Sequence, residues 1–178
     1  MHGIIHKSLK GFVEDRMTDG AWEVIMDESG IEPKLYLPVS HYPDEELDAI
    51  FDTIADRTDQ TEASLQRTFG EHLAPALLDT FKAHVRDDWT TLDLLSNLET
   101  IYEQIRTGND ETDPPAVDTE RVDEETVTVT YRSDREMCPL AKGIVLGIAG
   151  EYDETVTIEE DACLLDGDDR CDLTVVRE

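Results

Sequence analysis

No apolar run in this chain approaches the ~20 residues that a membrane-spanning helix needs. The opening Met1-His2-Gly3-Ile4-Ile5-His6-Lys7 also lacks the long apolar stretch of a signal peptide, so a cytoplasmic protein is expected. Positive charge is scarce. Fifteen Lys and Arg face 43 Asp and Glu, a net charge of −28. Nucleic acid and anionic membrane are therefore excluded as partners, because both would be repelled over most of the surface. The acids are dispersed rather than gathered in a tail, and only five lysines occur. That pattern is expected of the solvated surface of a salt-adapted cytosolic protein. Three cysteines are an odd number and too few for a disulfide framework, which leaves metal ligation or thiol chemistry as the question they raise. The chain has no Ser-His-Asp motif and no phosphate-binding glycine loop, and its carboxylates read as surface solvation, so an enzyme is not expected.

What is present suffices for one domain spanning 1–178, with an apolar content of 39%. The first two-thirds read as helices. Ile4, Ile5, Leu9, Phe12 and Val13 form an apolar stripe between His2 and Arg16, and Trp22, Ile25 and Met26 mark a short second helix ending near Gly30. Pro43 and the acids after it open a third helix, buried through Leu47, Ile50, Phe51 and Ile54. A fourth runs from about Thr61 towards Gly70, with further turns to His84. From Thr91 to Arg106 the spacing predicts one long helix carrying Leu95, Leu98, Tyr102 and Ile105 on its stripe. A polar loop from Gly108 to Pro115 ends it.

The period then changes to alternation, with Val127, Val129 and Tyr131 on one face of a strand. An apolar helix from Cys138 to Ile148 follows. Strands over Thr155–Glu160 and Cys171–Val176 flank the turn Asp166-Gly167-Asp168-Asp169 and close a hairpin. The expected fold class is α+β, helices first and then an antiparallel sheet with one inserted helix. At the end of the first strand, Tyr131, Ser133 and Arg135 set a phenol, a hydroxyl and a guanidinium at i, i+2 and i+4. Alternating positions share a strand face, so these groups would converge on a planar dianion such as the two propionates of a heme.

The order Tyr-x-Ser-x-Arg followed by Cys138-Pro139-Leu140, together with Met1-His2-Gly3-Ile4-Ile5, Tyr42-Pro43-Asp44-Glu45 and Asn97-Leu98-Glu99, resembles the heme-nitric oxide/oxygen binding (H-NOX) family of gas sensors over essentially the whole chain. The resemblance implies a helical subdomain over about 1–60, helices plus sheet over about 61–178, and a heme between them. Tyr131, Ser133 and Arg135 would hold its propionates, Pro115 would press on it from the proximal side, and Ile5 would lie against it. At the helix position where the family carries its iron-ligating histidine, this chain has Tyr102, within Asn97-Leu98-Glu99-Thr100-Ile101-Tyr102. Tyrosinate binds ferric heme as a hard anionic donor; the alternative is a core tyrosine that ligates nothing. Of the five histidines, His41 and His84 fall in other segments, while His2, His6 and His72 fall on segments near the distal side. His6 or His72 would reach iron only in a rearranged pocket.

Leu9, Leu73 and Leu140 match distal positions where oxygen-binding members place a tyrosine hydroxyl and other polar groups, which implies selectivity for nitric oxide or carbon monoxide over oxygen. Some members of the family also hold zinc with Cys, His-x-x-Cys and Cys. The matching residues here are Cys138, Glu160, Cys163 and Cys171, with Glu160 in place of the histidine. A Cys163–Cys171 disulfide and unconnected buried thiols are the alternatives. The implied function is a sensory domain signalling to a separate protein such as a histidine kinase or cyclase. Two further readings are a heme-free zinc-thiolate redox sensor and a binding module for a small apolar ligand.

Overall fold

The computed structural model describes residues 1–108 and 112–178, so Asn109, Asp110 and Glu111 of the expected polar loop lie outside the described residues. Helices α1 (Gly3–Arg16), α2 (Ala21–Glu28), α3 (Asp44–Thr58) and α4 (Glu62–Thr80) come first, followed by α5 (Thr91–Ser96) and α6 (Leu98–Gly108). Strands β1 (Ala116–Arg121) and β2 (Thr126–Arg132), helix α7 (Cys138–Glu151), and strands β3 (Val156–Ala162) and β4 (Cys171–Arg177) complete the chain. The sheet is antiparallel throughout, in the order β1-β2-β4-β3. This is the α+β arrangement expected, with α7 as the inserted helix.

The apolar patterns account for where these elements pack. One core gathers Leu9 and Phe12 of α1, Ile25 of α2, Phe51 of α3 and Phe69 of α4. A second lies on the sheet, where Val127, Val129 and Tyr131 of β2 pair with Val175, Leu173 and Cys171 of β4. Every one of these six residues is buried, as alternation on a one-sided sheet requires. Among the described residues, no helix is long and apolar enough to cross a membrane.

The structure departs from the expected elements at three places. The helix over Thr91–Arg106 is two helices, because Asn97 leaves helical geometry (φ −109°, ψ 5°) and its Nδ2 donates to the Asp93 carbonyl at 2.8 Å. A short amide side chain competes for the backbone in this way. The fourth helix and the turns expected after Gly70 form one continuous helix through Pro75 to Thr80, with a short 3-10 turn over Lys82–His84 beyond it. Finally, β1 has no counterpart in the sequence reading. Its residues Ala116-Val117-Asp118-Thr119-Glu120-Arg121 carry almost no apolar signal, being a solvent-facing edge strand held by β2 and by Glu99 of α6, whose Oε1 accepts from Thr119 N at 2.7 Å.

The tightest packing is between α4 and α7. A Cβ built on Gly143 would fall 2.0 Å from the Arg67 carbonyl oxygen, and one on Gly70 would fall 2.4 Å from the Leu140 carbonyl oxygen. Both obstacles are backbone, so neither can swing away. Gly143→Ala is therefore expected to lower stability by about 1–3 kcal/mol, although alanine is the better helix former. Gly150→Ala in the same helix meets nothing within 4 Å and is expected to raise stability by up to about 1 kcal/mol. Urea denaturation midpoints of the two variants check the reversal of sign.

Candidate functional site

Between the helices and the sheet lies a cavity of about 280 Å3. Its walls are largely apolar: Leu77, Leu78 and Phe81 end α4, Leu140, Ile144 and Ile148 come from one face of α7, and Leu98, Tyr102 and Ile105 come from α6. Of the residues singled out in the sequence, Ile5, Tyr102, Pro115, Tyr131, Ser133, Arg135 and Leu140 all line it. Leu9 and Leu73 do not. Both are fully buried in the helical core beside Phe12 and Phe69, because their positions on α1 and α4 face the neighbouring helices rather than the sheet.

Tyr131, Ser133 and Arg135 come together, but not through strand alternation. β2 ends at Arg132, and Ser133-Asp134-Arg135 is a turn in which Arg135 N donates to Ser133 Oγ at 3.2 Å. Burial pushes the pKa of the Tyr131 phenol up, and the neighbouring Ser133 hydroxyl and Arg135 guanidinium act against that shift. Arg135 reaches back to the helices. Its Nε donates to Asp44 Oδ2 at 2.5 Å and its Nη1 to the Asp113 carbonyl at 3.1 Å. Asp44 also takes the Met1 ammonium at 2.6 Å. Burial opposes ionisation of Asp44, but these two cations outweigh it and hold the carboxyl below its usual range. Asp44 was legible only as an acid in the first turn of a helix. That its carboxylate joins the first helices to the turn after β2 had no local signal.

Tyr102 sits one turn into α6 among Leu94, Ile101, Ile105 and Ile148. Burial, with a smaller contribution from Tyr131, pushes its pKa up to about 12, against a downward pull from Arg106. Arg106 is a turn further along, where its Nη2 donates to the Pro114 carbonyl at 3.1 Å. The loop carrying Pro115 is thus tied to the helix carrying Tyr102.

The histidines are redistributed relative to expectation. His2 and His41 line the cavity, whereas His6 and His72 do not. His6 is fully buried against Tyr36 at a ring separation of 4.7 Å, and desolvation lowers its pKa to about 4. His72 packs on Phe12, and His84 Nδ1 meets Gln104 Oε1 at the surface. His41 Nε2 lies 3.2 Å from Thr112 Oγ1, bridging the helices to the loop before Pro115.

Behind Tyr131, the thiols of Cys138, Cys163 and Cys171 lie within 4.8 Å of one another, all buried and free. Cys171 pairs with Tyr131 across the strands, Cys138 opens α7, and Cys163 ends the β3 side of the hairpin. Burial raises the pKa values of Cys138 and Cys163, and the neighbouring thiols add to the shift. The Leu164 amide donates to Cys171 Sγ at 3.3 Å. Glu160 is not part of this cluster. Its Oε2 is taken by Lys142 Nζ at 2.8 Å, and its charge adds to the upward pKa shift of the Cys163 thiol.

Three buried sulfurs at this separation are the donor set zinc prefers, and they supply three of its usual four ligands. The cavity likewise suits a flat apolar ring with carboxylates at one edge, with Tyr131, Ser133 and Arg135 at one end and mostly apolar side chains on its other walls.

Comparison with known proteins agrees with this geometry. No curated protein matches the chain. An H-NOX protein from S. oneidensis, solved in its Fe(II)NO state, superposes with a TM-score of 0.92 at 21% identity, covering 100% of this chain and 99% of the other. Unliganded H-NOX from K. algicida gives 0.87 at 19% identity over 100% and 97%. An I5F mutant of T. tengcongensis H-NOX gives 0.85 at 19% over 100% and 98%. These likenesses establish the fold. The sequence profile of the haem-NO-binding family matches residues 2–160, and the chain belongs to that family.

Proposed function

We propose that this chain is a gas-sensing domain that holds a heme in the cavity between its helices and its sheet. The observation that carries the reading is the cavity itself, largely apolar in its walls, with Tyr131, Ser133 and Arg135 converging at one end. Bound heme supplies an iron centre at which a diatomic gas coordinates. The chain supplies the rest. Tyr131, Ser133 and Arg135 would hold a carboxylate through charge-assisted hydrogen bonds. Pro115 presses on the ring from the side of α6. Tyr102 Oη would be the protein's donor to iron, and to act it would have to give up a phenolic proton that burial holds in place. Ile5, Leu140 and Ile144 present no hydrogen-bond donor, so that wall would favour nitric oxide or carbon monoxide over oxygen. The change would be read by a separate protein such as a histidine kinase or cyclase. The domain acts as a sensor, not as an enzyme.

Reconstitution with ferric heme tests this reading. The loaded protein is expected to show a phenolate-to-iron charge-transfer band that Tyr102→Phe abolishes, while Tyr102→His shifts the site towards stable ferrous iron. A loaded protein whose spectrum is unchanged by Tyr102→Phe would show that Tyr102 is only a core residue.

The clamp has its own signature. Arg132 pairs with Asp118 at 2.5 Å on the outer side of the sheet, away from the cavity. Arg135→Ala is expected to speed heme loss by roughly tenfold or more, as removal of a charge-assisted hydrogen bond should, with Arg132→Ala near wild type. Heme transfer to an excess of a strong acceptor measures both rates, and equal rates count against the clamp.

The thiol cluster supports a second cofactor. Cys138, Cys163 and Cys171 would hold one zinc, and the ion would tie α7 to the hairpin. Glu160 would complete the site only by exchanging Lys142 for the metal. Elemental analysis of reduced protein is expected to give one zinc per chain, lost in Cys163→Ser or Cys171→Ser, released by peroxide and recovered on reduction. Glu160→His is expected to retain or tighten the metal. Reduced protein without zinc refutes the site.

A further inference from the structure

His2 is the N-cap of α1, and its ring lines the cavity between the edge of His41 (5.2 Å) and Phe81 (5.7 Å). The Ile4 amide donates to its Nδ1 at 3.4 Å. Burial lowers the pKa of the ring, with His41 and the terminal ammonium adding to the effect, so it is neutral at neutral pH. A neutral imidazole whose Nδ1 accepts carries its single proton on Nε2. Among the described residues, Nε2 takes no hydrogen-bond partner from the protein. His2 therefore offers the cavity a donor. It is not set up as an iron ligand, because ligation through Nε2 would need the proton on Nδ1, where the Ile4 N–H already points.

The contacts around His2 place it at the carboxylate-binding end. The ammonium of the preceding residue and the Arg135 guanidinium share Asp44, at 2.6 and 2.5 Å. His41, paired with His2 along the backbone, meets Thr112, and the next residue, Asp113, accepts from Arg135. His2 thus stands on the α1 side of the end that Tyr131, Ser133 and Arg135 close from the sheet. Arg135 commits Nε to Asp44 and Nη1 to Asp113, which leaves only part of its fork for a ligand. One carboxylate can be served from the sheet, and a second needs a donor elsewhere.

We propose that His2 is a carboxylate-recognition residue, its Nε2–H donating to whichever carboxylate of a dicarboxylate porphyrin the sheet-side clamp does not hold. This rests on the reading of the cavity as a porphyrin site. It makes ligand choice depend on two carboxylates gripped from opposite walls, one by β2 and its turn, the other by the cap of α1.

The test uses the full chain and metal-free protoporphyrin, so that iron ligation plays no part. Fluorescence titrations compare the diacid with its dimethyl ester in wild type and in His2→Ser, which keeps an N-cap acceptor but cannot reach the ligand. His2→Ser is expected to weaken diacid binding about tenfold and leave ester binding unchanged. Equal losses for both ligands would reduce His2 to a structural cap and overturn the proposal, as would unchanged diacid binding. Folded wild type that binds neither porphyrin overturns the porphyrin reading itself. Wild type that binds the diacid, with His2→Ser indistinguishable from it, overturns the role of His2 alone. After ferric heme loading, the axial-ligand bands of His2→Ser are expected to match wild type. A shift in those bands would make His2 an iron ligand and refute the donor assignment.

Discussion

The cavity depends on the backbone-to-backbone crossing of α4 and α7. Gly70, Gly143 and Gly147 bring the two helices so close that a Cβ at any of them would fall within 3 Å of a neighbouring atom. Both helices then contribute a wall, α4 through Leu77, Leu78 and Phe81 and α7 through Leu140, Ile144 and Ile148. Interiors are close-packed, so a void of this size persists only where rigid elements cannot collapse into it. A crossing with no side chains to yield provides that rigidity. It also fixes where α7 begins, and with it Cys138.

A second constraint works through charge. The chain carries −28, yet three of its cations join separate elements. Arg135 meets Asp44 between the turn after β2 and the first helices, Arg177 meets Glu154 beside the sheet, and Lys142 joins α7 to β3. Surface ion pairs usually contribute little. Here Arg135 and Asp44 are partly buried, at 23% and 32% side-chain exposure, and share their charges with Met1 and Asp113, so their value lies in fixing the geometry of the cavity mouth.

What was legible in the sequence follows from signal strength. β2 reads clearly because one of its faces is buried, giving strict alternation of Val127, Val129 and Tyr131 with threonines. β1 was invisible because an edge strand facing solvent has no apolar period to display. The cavity residues Tyr102, Pro115, Tyr131, Ser133 and Arg135 were legible through the family resemblance. The strand-face argument for the last two failed, because a turn rather than a strand carries them there. Leu9 and Leu73 shared the helix stripes of cavity residues but fall on the inner side of those stripes, and position on a stripe does not distinguish core from cavity wall. The contacts of His2 and His41 left no local signal, because they join segments 39 residues apart, and His41 meets Thr112 across 71 positions.

The thiol cluster and the cavity are neighbours by register. Tyr131 lies opposite Cys171 between β2 and β4, so the residue whose phenol faces the cavity shares its strand pair with one of the three thiols. Cys138 and Cys171 contribute to the raised pKa of Tyr131, while Ser133 and Arg135 act against them. A change in charge at the sulfurs is therefore felt at the phenol without any rearrangement of the chain, since such interactions are poorly screened where water is excluded. Deprotonating the thiols makes Tyr131 a weaker acid and holds its proton more firmly. A cation among them works in the opposite direction. The cysteines and the phenol thus lie in one local electrostatic environment, brought together by the cross-strand pairing of Tyr131 with Cys171.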